Sequence, residues 1–269
     1  MTAVKAKKSF GQHFLKSESV VRKIIDLLEA SAGEAVVEIG PGRGALTFRL
    51  AEAGVRLLAV ELERSAFGYL EKRLRGQPNV TLVNKDFLSV TPDEIGFDGF
   101  KLIGNLPFNI TSPVLDWVVA NREYVRLAVF MVQKEMALRV SSSPGSKDWS
   151  PPAIFTQLHY DIEYGFDVAA KHFSPPPKVT SAVIRLTPKG APAVAHFAAF
   201  EKVVRASFQR RRKLLVNNLT PEIIGDVVRA REVIAELGLP PRCRAEELPT
   251  EKFLELTARL IEYKILQGE

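Results

Sequence analysis

A single cysteine among 269 residues rules out an intrachain disulfide framework and points to a reducing compartment, the cytoplasm. That residue, in Pro240-Pro241-Arg242-Cys243-Arg244, lies far along the chain from the expected strand ends, so a cysteine-nucleophile mechanism on cytosine C5 is not expected. Histidine is scarce as well. His13, His159, His172 and His196 show no i,i+3 or i,i+4 pairing and have no cysteine companions, so no metal site is expected. No apolar run approaches the roughly 20 residues of a membrane span, and the first residues lack the apolar core of a signal peptide. Internal repeats and low-complexity tracts are missing too. What remains is a chain with 46% hydrophobic residues, long enough to bury one large and one small core.

Charge is unevenly spread. The net +6 divides into +4 over residues 1–16, −1 over 17–187 and +3 over 188–269. Basicity concentrated at the two ends suggests contact with a polyanion. The sharpest run is Arg210-Arg211-Arg212-Lys213, which follows the helical apolar pattern Phe197, Phe200, Val203, Val204, Phe208. Packing on one face would leave some of these cations to meet phosphates, and Arg211 and Lys213 are the candidate RNA contacts.

Ala35-Val36-Val37-Glu38-Ile39 reads as a buried strand, Gly40-Pro41-Gly42-Arg43-Gly44 as a tight loop, and Ala45 to Ala53 as the helix that follows. Glycines in such a turn let the backbone approach a ligand closely, and the helix start offers unpaired N–H groups. Gly40, Gly42 and Ala45 also fit the dinucleotide pattern G-x-G-x-x-G/A, so the glycines alone do not choose a cofactor. The next strand, Leu57 to Val60, ends at Glu61, a carboxylate placed to accept ribose hydroxyls. Val80 to Lys85 ends at Asp86-Phe87, and Lys101-Leu102-Ile103 leads to Gly104-Asn105-Leu106-Pro107-Phe108. In a doubly wound sheet these strand ends line one crevice, so Glu61, Asp86 and Asn105 should converge near the glycine loop. An amide, a proline and an aromatic ring together suit a flat base with a polar edge. A hydride-transferring dehydrogenase, the rival for the glycine loop, would leave Asp86 and the Asn-Leu-Pro-Phe turn without work.

Five ordered motifs carry a resemblance that runs almost end to end. They are Phe10-Gly11-Gln12-His13-Phe14-Leu15, Val37-Glu38-Ile39-Gly40-Pro41-Gly42-Arg43-Gly44, Asn105-Leu106-Pro107-Phe108, His172-Phe173-Ser174-Pro175-Pro176-Pro177-Lys178-Val179 and Phe208-Gln209-Arg210-Arg211-Arg212-Lys213. In these the chain resembles the ribosomal RNA adenine N6,N6-dimethyltransferases, specifically the bacterial small-subunit (16S) branch. The resemblance implies S-adenosylmethionine as cofactor and transfer of two methyl groups to N6 of each of two adjacent adenines near the 3′ end of the RNA. It implies the small ribosomal subunit and its rRNA as partner, with the enzyme acting as a monomer in the cytoplasm. By position, His13 and Leu15 would flank the cofactor, with Gly40, Gly42 and Gly44 forming the glycine loop beneath it. Glu61 would hold the ribose, Asp86 the adenine amino group, with Phe87 beside that ring. Asn105 would stand between the methyl group and the target amine, in a turn completed by Leu106 and Pro107, and Phe108 and Phe173 would sandwich the target base. Two positions depart from the pattern: 13 is His where many relatives have Asn, and 108 is Phe where many have Tyr.

The expected architecture is α/β: a doubly wound, Rossmann-like methyltransferase sheet over residues 1–187, followed by a small all-helical domain over 188–269 that contacts RNA. Tyr160 to Val168 and Val179 to Leu186 read as a closing antiparallel pair, and Ser141 to Lys147 as a surface loop within the first domain. Two other functions fit parts of the pattern. One is the related large-subunit dimethylase of the macrolide-resistance type. The other is a ribosome-assembly factor acting mainly by binding.

Overall fold

A computed structural model of the chain describes residues 13–190 and 195–267. Phe10, Gly11 and Gln12 of the first motif, and Lys5, Lys7 and Lys8 of the basic N-terminal stretch, lie outside the described residues. Strand and helix alternate as the sequence pattern requires: β1 (Phe14–Leu15), α1 (Glu18–Leu28), β2 (Ala35–Ile39), α2 (Thr47–Glu52), β3 (Arg56–Val60), α3 (Arg64–Arg73), β4 (Val80–Val83), α4 (Pro92–Ile95), β5 (Phe100–Asn105), α5 (Thr111–Ala120) and β6 (Val125–Gln133). After α6 (Lys134–Val140) and α7 (Pro151–His159) come β7 (Tyr160–Val168), β8 (Phe173–Ser174) and β9 (Ser181–Pro188). The rest is helical: α8 (Phe197–Phe208), α9 (Leu215–Leu219), α10 (Val227–Glu236) and α11 (Thr250–Glu262).

Seven strands form one sheet in the order β4-β3-β2-β5-β6-β9-β7, parallel from β4 to β6, with β9 antiparallel to both of its neighbours. The largely apolar runs of β2 and β3 are what a parallel sheet covered on both faces demands: all five residues of β2 are buried, and so are Leu57 to Val60. Val20, Val21, Ile24 and Leu28 recur on one stripe of α1 and pack into the core with Val36, Leu57, Ile103 and Val129. Strands β7 and β9 pair antiparallel, as their alternation predicts.

The chain divides into two compact units, 1–138 with 159–189, and 139–158 with 190–269. This differs from a single boundary after 187. The second crossing falls close to that point, but residues 139–158 belong with the C-terminal helices, and so does the Ser141 to Lys147 loop. The reason is packing. Trp149, Ile154 and Phe155 are buried in the same core as Phe200, Val203, Leu219 and Phe253, and the Trp149 indole N–H donates to the Leu248 carbonyl at 2.8 Å. Gly145 N–H donates to the Glu246 carbonyl at 2.7 Å, and the Arg211 guanidinium donates to the Lys147 carbonyl. Among the described residues no helix is long and apolar enough to cross a membrane.

Candidate active site

After β2 the chain winds outward to β3 and β4, and then returns to β5 and β6 on the other side of β2. The switch point of the sheet is therefore between β2 and β5, where a ligand crevice is expected at the carboxyl ends. A cavity of about 350 Å³ lies there, within the size range of small-molecule sites. His13, Leu15, Gly40, Gly42, Glu61, Asp86, Phe87, Asn105, Leu106, Pro107, Phe108 and Phe173 all line it, so nearly every sequence-predicted cofactor and base-binding residue converges on one place.

The glycine loop is longer than its sequence suggests. Gly44 N–H closes a turn on the Pro41 carbonyl at 2.8 Å, and α2 begins at Thr47 rather than Ala45. Gly40, at φ +64°, borders the cavity, and a Cβ added there would meet nothing within 4 Å. Gly44, at φ +82°, is a different case. A Cβ there would lie 2.7 Å from the Phe48 ring and 2.8 Å from Leu70, and the residue does not line the cavity. The missing Cβ lets the loop pack against Phe48 of α2 and Leu70 of α3, and Gly44 is the one of the expected cofactor contacts that does not border the cavity.

Glu61, just past β3, is buried, and its two oxygens accept from Gly42 N–H and Glu63 N–H, each at 2.8 Å. Burial raises its pKa, and the two backbone amides pull the other way. Glu38, the fourth residue of β2, is also buried and borders the cavity, and its Oε2 has no hydrogen-bond partner among the described residues. Burial pushes its pKa up to about 8, with Thr47 opposing the rise and the neighbouring Glu61 charge adding to it. Asp86 caps the turn Phe87–Ser89, its Oδ1 accepting from Leu88 N–H at 3.0 Å, and it stays exposed at the cavity rim. Ordinary capping and a position beside a ligand thus coexist in one side chain. Phe87 is buried, its ring centroid 4.7 Å from that of Trp117, and forms a wall of the cavity.

The N-terminal segment reaches the site through a two-stranded ladder, in which β1 pairs antiparallel with β8 and sets Leu15 opposite Phe173. This ladder brings the buried Phe173 to the cavity wall and His13 beside Asn105. Asn105 Nδ2 donates to the His13 backbone carbonyl at 3.0 Å. Because the amide nitrogen is thus spent, the side-chain oxygen is the end left to accept from a ligand. The His13 imidazole Nδ1 donates to the Pro175 carbonyl at 2.9 Å, and its ring lies 6.2 Å from that of Phe108, inclined by 28°. In the turn after Asn105, the Pro107 carbonyl accepts from Ile110 N–H at 3.1 Å and the Thr111 hydroxyl at 3.3 Å. The Leu106 carbonyl, to which no hydrogen bond is made among the described residues, is an acceptor that this turn can offer.

Arg211 and Lys213 are exposed in the chain after α8, in the helical unit. Sequence reasoning passed over Glu38, quoted within the glycine motif without a role, and Leu62, a half-exposed leucine next to Glu61. Both line the cavity. An acid within the otherwise apolar run Val36-Val37-Glu38-Ile39 was the available signal for the first.

The model of the family described as ribosomal RNA adenine dimethylase matches residues 3–262. The chain belongs to the ribosomal RNA adenine dimethylase family. It is 40% identical to the "Ribosomal RNA small subunit methyltransferase A" of Bordetella bronchiseptica, over 97% of this chain and 96% of that protein. Among solved structures it is similar to a dimethyladenosine transferase from Plasmodium falciparum, with a TM-score of 0.81, 23% identity, and coverage of 94% of this chain and 98% of that one. The 23S rRNA methyltransferase ErmE is similar at a TM-score of 0.71 and 26% identity, over 92% of this chain and 99% of that one. This dimethylase is therefore an S-adenosylmethionine-dependent enzyme. Its cavity fits that cofactor. Open space beside Gly40 admits a backbone-hugging ligand, the unpartnered Glu38 oxygen suits a cation, and Phe87 and Leu62 supply apolar surface for a base.

Proposed function

We propose that this dimethylase converts two adjacent adenines near the 3′ end of small-subunit (16S) rRNA to their N6,N6-dimethyl forms during maturation of the small ribosomal subunit. The observation that carries the reading is the orientation of Asn105. With its amide nitrogen held by the His13 carbonyl, its oxygen accepts one N6 hydrogen of the target adenine, and the Leu106 carbonyl accepts the other. An adenine amine is a poor nucleophile while its lone pair is delocalised into the ring. Two acceptors on its hydrogens draw the nitrogen toward tetrahedral geometry and aim the lone pair out of the ring plane. The bound cofactor supplies an electrophilic methyl group on a sulfonium.

No strong base is required, because the methylated nitrogen is acidic enough to lose its proton to water or a nearby carbonyl. Phe108 and Phe173 hold the base, each stacking contact contributing about 1–3 kcal/mol, comparable with the few kcal/mol needed to unstack an adenine. His13, Leu15, Gly40, Gly42, Glu61, Asp86 and Phe87 form the cofactor's surroundings, with Glu61 on the ribose and Asp86 on the adenine amino group. The helical unit contacts rRNA through Arg211 and Lys213, and the enzyme works as a monomer in the cytoplasm.

The small-subunit target is supported by the curated relatives at 35 to 40% identity over nearly the whole chain, against 26% for the large-subunit enzyme. The test is methyl transfer from labelled S-adenosylmethionine to separated, unmethylated small and large subunits, followed by mapping of the modified bases. Dimethyladenine confined to small-subunit RNA is the expected result. Label on large-subunit RNA would establish the resistance-type activity instead, and tight subunit binding without transfer would leave an assembly factor.

A further inference from the structure

Three buried carboxylates, Glu38, Glu61 and Glu63, stand together on the cavity wall, and they are not equivalent. Both oxygens of Glu61 accept backbone N–H groups, which stabilise it as an anion. Glu38 is less well provided: Thr47 offers it a hydrogen bond, but its Oε2 is enclosed and without a partner among the described residues. A buried carboxylate with one oxygen left unpartnered is costly, and a second one ionising beside Glu61 costs more, because like charges in a low-dielectric site resist joint ionisation. Glu61 is the charged group that acts on it, and those sharing the cavity are Glu63 following β3, Arg43 in the glycine loop, Lys85 and Asp86 following β4, and His13 ahead of β1. Thr47 of α2 and Asn105 at the end of β5 add polar but uncharged groups.

We propose that the Glu38 carboxyl carries a proton in the cofactor-free protein and releases it to solvent as the cationic cofactor binds, so that cofactor capture is coupled to loss of one proton. S-adenosylmethionine brings a sulfonium and an ammonium against one carboxylate, a net charge of +1. Its entry supplies the positive charge that an ionised Glu38 lacks, while the departing proton keeps the charge of the cavity unchanged. The rise of the Glu38 pKa to about 8 agrees with this geometry. The inference rests on the assignment of the cofactor to this cavity.

The experiment is calorimetric titration of the full chain with S-adenosylmethionine at pH 6.5, in buffers of different ionisation enthalpy, so that the buffer dependence of the heat counts protons. At that pH the cofactor's own amino group, with an ordinary α-amino pKa of about 7.7–8.0, is already charged and contributes little. The expected count is about one proton released, with Glu38→Gln releasing none. His13→Asn, which removes the imidazole bordering the cavity, should release as many as the unmodified chain. Heat that is the same in every buffer overturns the proposal, as does release that survives in Glu38→Gln or vanishes in His13→Asn. Should Glu38→Gln fail to bind or fold, the unmodified chain still decides. Its Kd should fall about tenfold per pH unit between pH 6 and 7, and a flat profile would refute the coupling. Absence of any binding heat, by contrast, would overturn the cavity assignment itself.

Discussion

The two units of this dimethylase bury polar groups for opposite purposes. Those in the helical unit are uncharged, and several bond locally: Ser207 and Thr257 return hydroxyls to the carbonyls of Val203 and Phe253 one turn back, and the Asn218 amide donates to the Ser207 and Arg210 carbonyls. Such bonds finish a fold, and what they leave over, the Ser150 hydroxyl and the Asn218 Oδ1, is neutral. The α/β unit instead encloses Glu38, Glu61 and Glu63, and keeps acceptor capacity on Glu38 and Asn105 at the carboxyl ends of its central strands. Buried charge is expensive, so where a protein retains it beside a cavity, a ligand is the economical explanation.

Substitutions can break this contrast from either side. The largest effect is expected in the helical unit, where Trp149→Ala removes a ring buried among Phe155, Phe200 and Phe253. It should cost about 3–5 kcal/mol in denaturant unfolding, and a loss below about 1 kcal/mol would deny that residues 139–158 belong to that core. In the α/β unit, Asn105→Ala should lower the single-turnover rate of methyl transfer by about 100- to 1000-fold with Tm unchanged. An equal fall in Tm would make Asn105 a structural residue.

Glu38 gives an effect on the cofactor-free protein that is graded with pH. Below the ordinary carboxylate pKa of 4.5, folded and unfolded chains both hold its proton. Between there and about 8 only the folded chain does, so rising pH favours unfolding. Stability should decline by about 1.4 kcal/mol per pH unit across that window and level off above it, and Glu38→Gln should flatten this component of the curve. The smallest change is expected for Lys213→Ala. It should leave folding and cofactor affinity untouched, and reduce by about one the slope of log affinity for rRNA against log salt. An unchanged slope would remove Lys213 from the RNA contacts.

What the sequence made legible was topology and the residues that topology gathers. Acids and amides at successive strand ends had to meet at the switch point of a doubly wound sheet, and Glu61, Asp86 and Asn105 do line one cavity. Three features escaped for physical reasons. Glycine spacing does not distinguish a residue that makes room for a ligand from one that makes room for packing, which is how Gly44 came to be grouped with Gly40. A Ser- and Gly-rich stretch is unmarked as to which core its flanks enter, and the Trp149 ring, not the loop, assigns Ser141 to Lys147. Glu38 was hidden by its setting, since nothing in a strand motif announces that one of its oxygens will be enclosed without a partner.

The bond from the Asn105 amide to His13 has an evolutionary corollary. The partner is a main-chain carbonyl, a group that all twenty residue types carry, so exchange of the side chain at position 13 leaves intact the contact that turns Asn105. Exchange there alters the cavity wall that His13 lines but not the bond that orients Asn105. What selection must preserve there is the path of the backbone, and the β1–β8 ladder holds that path.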